Sequence, residues 1–198
     1  MSATVITRLS LMARWEPDAR GRMTRAALDL YAEQGFEQTT TAQIAERAGV
    51  TERTYFRHFA DKREVLFDGS HELEALVART IADAADDVAP LDAAGAAFVR
   101  VAGELEDRRD FAARRAAVVA ATPRLREREL LKLAALRDDA AAALRDRGVP
   151  DPAASMVAEV GVAAFKVGFE AWIASGQARP VADEVRDALT VLRAQAEV

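Results

Sequence analysis

The side chains whose types and spacing could do chemistry lie between Thr40 and Lys62, in TTAQIAERAGVTERTYFRHFADK. Within it, Glu52 to His58 reads as a short helix whose Tyr55 and the following Phe59 form an i,i+4 apolar pair. Packing through that pair turns Arg53, Thr54, Arg57 and His58 elsewhere. A small helix held by one face, with arginines and hydroxyls on the other, suits the major groove of a DNA duplex, where base edges present donors and acceptors. Other chemistries find little material. There is no cysteine, which excludes disulfides and thiolate metal sites, and two histidines, His58 and His71, are too few for a histidine metal cluster. Carboxylates alone remain open as metal ligands. No nucleophile elbow, phosphate-type glycine loop or paired histidines appear, so no catalytic residue, metal or cofactor is expected and the chain is read as a non-enzyme.

The elements that must position these residues can be read from their punctuation. Thr40 can N-cap a helix, with Gln43 three residues on to complete a capping box. Ile44, Ala45 and Ala48 give that helix one apolar side, and Gly49 suits the left-handed conformation at which it must stop. Val50 fills the corner, Thr51 offers the next N-cap, and Glu52 suits the positive end of the new helix. Upstream, a helix should run from Pro17 to about Gln34 and close at Gly35. Its Met23, Ala27, Leu30 and Tyr31 make a stripe to pack on Ile44, Val50, Tyr55 and Phe59. Downstream, Asp61 with Glu64 reads as another capping box, opening a long helix to about Asp87 with Lys62 in its first turn. A cation there opposes the helix dipole, a hint of a nearby anion such as phosphate.

The run resembles the DNA-binding region of the TetR family of transcriptional regulators. The resemblance is carried by Ala26-Ala27-Leu28, Leu30-Tyr31, Glu33, Gly35-Phe36, Thr39-Thr40, Ile44-Ala45, Ala48-Gly49-Val50, Thr54, His58-Phe59, Lys62 and Leu66, in unbroken register over about a quarter of the chain. It implies an all-α protein: an N-terminal three-helix helix-turn-helix domain over 17–66, then a helical ligand-binding and dimerisation domain over 67–198. It also implies a DNA-contacting set of Thr41, Thr51, Arg53, Thr54, Phe56, Arg57, His58 and Lys62. Tyr55 falls at an apolar core position of the family. Phe56 falls where many members carry a tyrosine whose hydroxyl meets phosphate, a contact phenylalanine cannot make. Arg53 is the candidate for base reading, since its fork can discriminate guanine by about 1–3 kcal/mol. Thr54 is a weaker second, Arg57 could do either job, and Thr41, His58 and Lys62 would mainly position the backbone.

The formal net charge of −5 is unequally shared. Up to Phe67 there are 10 Lys/Arg against 9 Asp/Glu; beyond it there are 17 against 23. The first part is therefore the one suited to a polyanion. Arg8, Arg14 and Arg20 could form a basic arm for the minor groove, with a frayed tail as the alternative. The N-terminus lacks a convincing signal peptide and no apolar run would cross a bilayer, so a cytoplasmic protein without membrane contact is expected.

Beyond Pro90 the chain reads as amphipathic helices near 91–107, 110–121, 124–147, 152–175 and 181–196. Ala154, Ala158, Gly161, Ala164 and Gly168 keep the fourth of these thin enough for another helix to approach closely, and Val185, Leu189 and Leu192 stripe the fifth. The resemblance implies that these two helices make a homodimer, which also suits a palindromic operator. It further implies a pocket for a small-molecule effector in the middle helices; here Phe98, Val101, Leu105, Phe111, Val118, Val119, Met156, Phe165 and Phe169 are the apolar candidates, with ordinary core as the alternative, and Glu159 and Lys166 are pocket polar groups or a solvated pair. Arg114 and Arg115 could hold an anionic head group or simply belong to a charged outer face. The functional expectation is a homodimeric repressor released from double-stranded DNA by a small hydrophobic or amphipathic ligand. The alternative is a helical ligand-binding or protein-interaction module without sequence-specific DNA binding.

Overall fold

The computed structural model describes residues 18–175 and 179–196. The proposed arm residues Arg8 and Arg14, the helix start at Pro17 and the break at Gly176 lie outside them. The described residues are helical with no strand, and the chain divides into two compact units, 1–65 and 66–198.

The first unit holds α1 (Ala19–Gln34), α2 (Thr41–Arg47) and α3 (Glu52–His58). Met23, Ala27 and Tyr31 of α1 are buried with Ile44, Ala45, Tyr55 and Phe59. α2 starts with the full capping box: Gln43 N donates to the Thr40 hydroxyl at 3.2 Å, and Thr40 N donates to Gln43 Oε1 at 2.9 Å. It ends in a Schellman closure, with Gly49 N donating to the Glu46 carbonyl and Val50 N to the Ala45 carbonyl. Gly49 has φ of 69°, a conformation that disfavours any residue with a Cβ.

The long helix expected from Asp61 does not form. Asp61 Oδ1 accepts from Arg63 N at 2.7 Å and Glu64 N at 3.3 Å, but the cap opens only a 3-10 turn, Glu64–Leu66. Gly69, with φ of 83°, then interrupts the backbone, and α4 begins at Ser70.

The second unit comprises α4 (Ser70–Ala82), α5 (Pro90–Gly103), a 3-10 turn (Glu106–Arg108), α6 (Arg109–Ala121), α7 (Pro123–Asp146), α8 (Ala153–Ser175) and α9 (Val181–Ala196). α4 packs on α5 and α7, α7 on α8, and α9 on both α5 and α8. Phe98, Val77, Ile81, Leu136, Leu144, Trp172 and Val185 are almost completely buried in one core. The small residues of α8 serve this core. A Cβ on Gly161 would lie 2.4 Å from the Phe98 ring, and one on Gly168 would lie 2.6 Å from the Val185 main-chain nitrogen. Ala154, Ala158 and Ala164 are buried on the same side. The thin stripe is thus where this chain's own α5 and α9 close in.

Candidate nucleic-acid interface

Tyr55 and Phe59 anchor α3 by burial, with their rings 5.4 Å apart. The Tyr55 hydroxyl donates to the Asp61 carbonyl at 3.1 Å, and the Tyr31 hydroxyl donates to the Lys62 carbonyl. Burial pushes both phenols above their ordinary pKa, helped by Tyr55 and then Asp61 at Tyr31 and by Asp61 and then Glu64 at Tyr55, so they stay protonated donors. At its start, Thr54 N donates to the Thr51 hydroxyl at 3.1 Å, and the two threonine hydroxyls share a bond of 3.0 Å. The Thr41 hydroxyl donates to Glu52 Oε1 at 2.6 Å, tying α2 to the first turn of α3. These contacts fix the helix from both ends.

What α3 leaves outside is Arg53, Phe56 and Arg57, spaced i, i+3, i+4 on one face. Phe56 is 52% exposed, a large apolar group held in water. Arg53 and Arg57 make no hydrogen bond or ion pair among the described residues. The other described arginines of this unit are occupied. Arg47 grips Glu33 through two bonds of 3.0 and 3.1 Å, Arg63 pairs with Asp61 at 2.6 Å, and Arg22 Nε donates to the Ala48 carbonyl at 3.0 Å. Two unspent guanidiniums flanking an aromatic ring can fork onto guanine or phosphate while the ring meets sugar or a thymine methyl. Thr54 and His58 are half-buried at the edge of this face, and the His58 ring lies 6.3 Å from that of Phe59.

Lys62 is placed differently from the expectation. Its ammonium donates to the carbonyls of Phe36, Glu37 and Thr39 at 2.8, 3.3 and 3.0 Å, and it sits 4.3 Å from the centre of the Phe36 ring. An ammonium has three donors, and all three are spent on the loop that joins α1 to α2. Lys62 therefore holds that loop rather than a phosphate. Three neutral main-chain carbonyls take the place of the anion that a lysine after a cap hinted at.

The model of the bacterial regulatory proteins of the tetR family matches residues 24–68. Through this segment the chain is similar to the DNA-binding region of the tetR family. The transcriptional regulator TcmR of Streptomyces glaucescens is 40% identical over 90 residues, which is 44% of this chain and 39% of TcmR. TtgR of Pseudomonas putida is 34% identical over 91 residues, 44% of this chain and 43% of TtgR. The chain thus matches about two fifths of the length of each relative. Over a longer span it is similar to the crystal structure of FadR from Thermus thermophilus, a TetR-family repressor bound to lauroyl-CoA. That likeness has a TM-score of 0.53 and 26% identity, and covers 87% of this chain and 92% of FadR. Arg53, Phe56 and Arg57 lie within the matched segment, on α3.

The pocket candidates of the second unit differ in their exposure. Phe98 and Val101 are fully buried and Val119 nearly so, while Leu105, Phe111, Val118, Phe165 and Phe169 are half-buried. Phe98, Phe165, Phe169 and Trp172 follow one another at ring separations of 6.3, 6.2 and 5.9 Å. Trp172 belongs with them but was absent from the sequence candidates. Its i+3 spacing from Phe169 and i+7 spacing from Phe165 were the available signal. The Arg109 guanidinium lies 5.5 Å from the Trp172 ring centre. Met156 is 65% exposed and is no lining residue. Glu159 pairs with Arg137 of α7 at 3.0 Å, and Lys166 is exposed. Arg115 is tied to Glu129, as a charged face would require, while Arg114 is exposed. An open groove of about 730 Å³ lies elsewhere, between α5 and α9, with Val99 and Leu189 in its floor and Arg100, Arg186 and Arg193 along it.

Proposed function

We propose that this chain is a homodimeric, sequence-specific DNA-binding repressor, working in the cytoplasm, that a small hydrophobic or amphipathic ligand releases from its operator. The observation that carries the DNA reading is the pair Arg53 and Arg57, unspent and exposed on a helix fixed at both ends. Arg53 reads a base, Arg57 and Phe56 meet the backbone and sugar, and Thr41, Thr51, Thr54 and His58 hold or edge that face.

The dimer reading now draws on a different face of α8 from the one its small residues suggested. Met156, Val160, Ala163 and Val167 recur every three or four residues on the side away from the core, and Met156 and Val167 are 65% and 57% exposed. Leu130 of α7 and Val191 of α9 add exposed apolar surface, each at 63%. An apolar helical seam of this kind suits a two-fold contact, and two reading helices suit paired half-sites about one turn apart. The ligand reading draws on the Phe98–Phe165–Phe169–Trp172 series and on the acyl thioester bound by the Thermus thermophilus relative.

Fluorescence anisotropy with DNA from upstream of the chain's own gene, across a salt series, tests the reading. Specific binding that weakens with salt and is lost in Arg53→Ala supports it. Equal binding of that fragment and of a genomic fragment pool would overturn sequence-specific regulation.

A further inference from the structure

Glu52 opens α3 beside Arg53, yet it makes no ion pair among the described residues. Other acids of the first unit behave differently: Asp18, Glu33 and Asp61 each pair with an arginine, at 3.5, 3.0 and 2.6 Å. What holds Glu52 is a neutral group, the Thr41 hydroxyl of α2, which donates to its Oε1 at 2.6 Å. Glu52 and Phe56 form one i,i+4 row of the outer face of α3, and Arg53 with Arg57 forms the next. All four side chains are exposed, while Thr41 is half-buried. A carboxylate offers about four acceptor sites on its two oxygens, and the single Thr41 proton fills one of them. Oε2 accepts no hydrogen bond among the described residues. The reading face therefore carries a fixed acceptor as well as two unspent donors.

We propose that Glu52 is a specificity-determining residue whose free oxygen accepts from the exocyclic amino group of a cytosine, in a base pair neighbouring the guanine that Arg53 forks onto. The assignment rests on the DNA-binding function proposed for this chain and adds an acceptor to its donors. An unneutralised carboxylate on a surface that meets DNA is repelled by phosphate, so it weakens binding at every sequence unless it finds a donor. The donors that base edges present in the major groove are the amino groups of cytosine and adenine. Adenine sets its N7 acceptor beside that group, where it repels a carboxylate oxygen. Cytosine has no acceptor there, so the carboxylate selects cytosine. The Thr41 tie supplies orientation: a carboxylate already held through Oε1 loses little freedom when DNA arrives. Thr41 is thus a positioning residue that acts through Glu52, since its one donor proton is spent and none remains for phosphate.

The experiment uses the full chain and a pool of DNA duplexes with a randomised centre, which are bound, recovered and sequenced. The unsubstituted protein should enrich a motif with a cytosine position near the guanine assigned to Arg53. Glu52→Gln keeps the shape but exchanges one acceptor for an amide donor, and a glutamine pairs with adenine N6 and N7. That position should therefore turn from cytosine to adenine, by about ten-fold in relative enrichment, with the guanine kept. Binding to duplexes outside the motif should strengthen in the same variant, because a charge repelled by phosphate is gone. Thr41→Val should flatten the cytosine preference, and Thr41→Ser should restore it. If Glu52 only stitches α2 to α3, both Glu52→Gln and Thr41→Val lower affinity evenly and leave each base preference in place. A motif unchanged in Glu52→Gln overturns the assignment and leaves the DNA reading standing, whereas an unsubstituted protein that enriches no motif overturns both. The Thr41→Val readout stands by itself if Glu52→Gln folds poorly, with an undiminished cytosine preference as the contrary result.

Discussion

The Lys62 ammonium donates to the main-chain carbonyl of Phe36 at 2.8 Å, across 26 positions of sequence. With the Glu37 and Thr39 carbonyls it closes the loop that carries Thr40, the N-cap of α2. The lysine is thereby a structural tie for α2, the helix that packs on α3. Lys62→Met should cost the first unit on the order of 1–3 kcal/mol, because three carbonyls lose a charged donor. The slope of log affinity against log salt should stay unchanged among the folded molecules. Urea unfolding and salt-series anisotropy measure the two quantities. A slope flattened by about one would return Lys62 to the phosphate contacts.

On the proposed DNA reading, Arg53 contacts a base and Arg57 the backbone, and the two substitutions should separate these roles. Arg53→Ala should weaken operator binding by about 1–3 kcal/mol more than it weakens binding to random DNA. Arg57→Ala should weaken both about equally and flatten the salt slope by about one. Equal losses for Arg53→Ala on the two DNAs would make it a phosphate contact. Neither side chain has a partner among the described residues, so neither change should lower the thermal midpoint.

Neighbouring positions on α8 should behave oppositely. Val167→Glu places a charge on the exposed face and should turn a dimer into a monomer by sedimentation with little change in far-UV circular dichroism. Gly168→Val should instead damage the protomer. Its Cβ would meet the Val185 nitrogen at 2.6 Å, and helix backbones cannot yield at that distance, so a loss of about 1–3 kcal/mol or more is expected. A dimer that survives Val167→Glu would rule out this face.

Lys132 gives the second unit a defined pH dependence. Burial first, then Arg115, lowers its native pKa to about 8, below the ordinary lysine value, so the unfolded chain holds more protons between about pH 8 and pH 10.5. Stability from this group therefore rises with pH across that window, and the full cost is present below it. Lys132→Met removes the cost while keeping the stem's volume. It should stabilise the protein by up to roughly 3 kcal/mol at pH 7 and by nearly nothing at pH 10.5. Paired urea titrations at the two pH values check this; a pH-independent difference would mean that packing, not charge, is responsible.

Much of this protein was legible in its sequence where the determinants are local. Thr40 with Gln43, Gly49, and Thr51 fix the ends of α2 and α3 through bonds spanning a few residues, and the observed helices match that reading. The same holds for α7, α8 and α9, whose ends follow Pro123, the 148–152 turn and Pro180. Local signals also misled at one point. Asp61 and Glu64 make a genuine cap, but a cap does not dictate how far a helix runs, and the left-handed Gly69 stops it.

Tertiary structure decided which partner each long-range group meets. The sequence determined that Lys62 is a cation after a cap; only folding showed that carbonyls of residues 36, 37 and 39 converge on it. It determined that α8 is thin and apolar around much of its circumference, but not which side its own chain would cover. Gly161 and Gly168 met Phe98 and Val185, leaving Met156 and Val167 outside. The crowding around Lys132 likewise needs α4, α6 and α7 to be brought together. Helix caps and periodicity are encoded within a turn or two of chain. Burial, desolvation and the saturation of donors depend on atoms that only a three-dimensional arrangement makes neighbours.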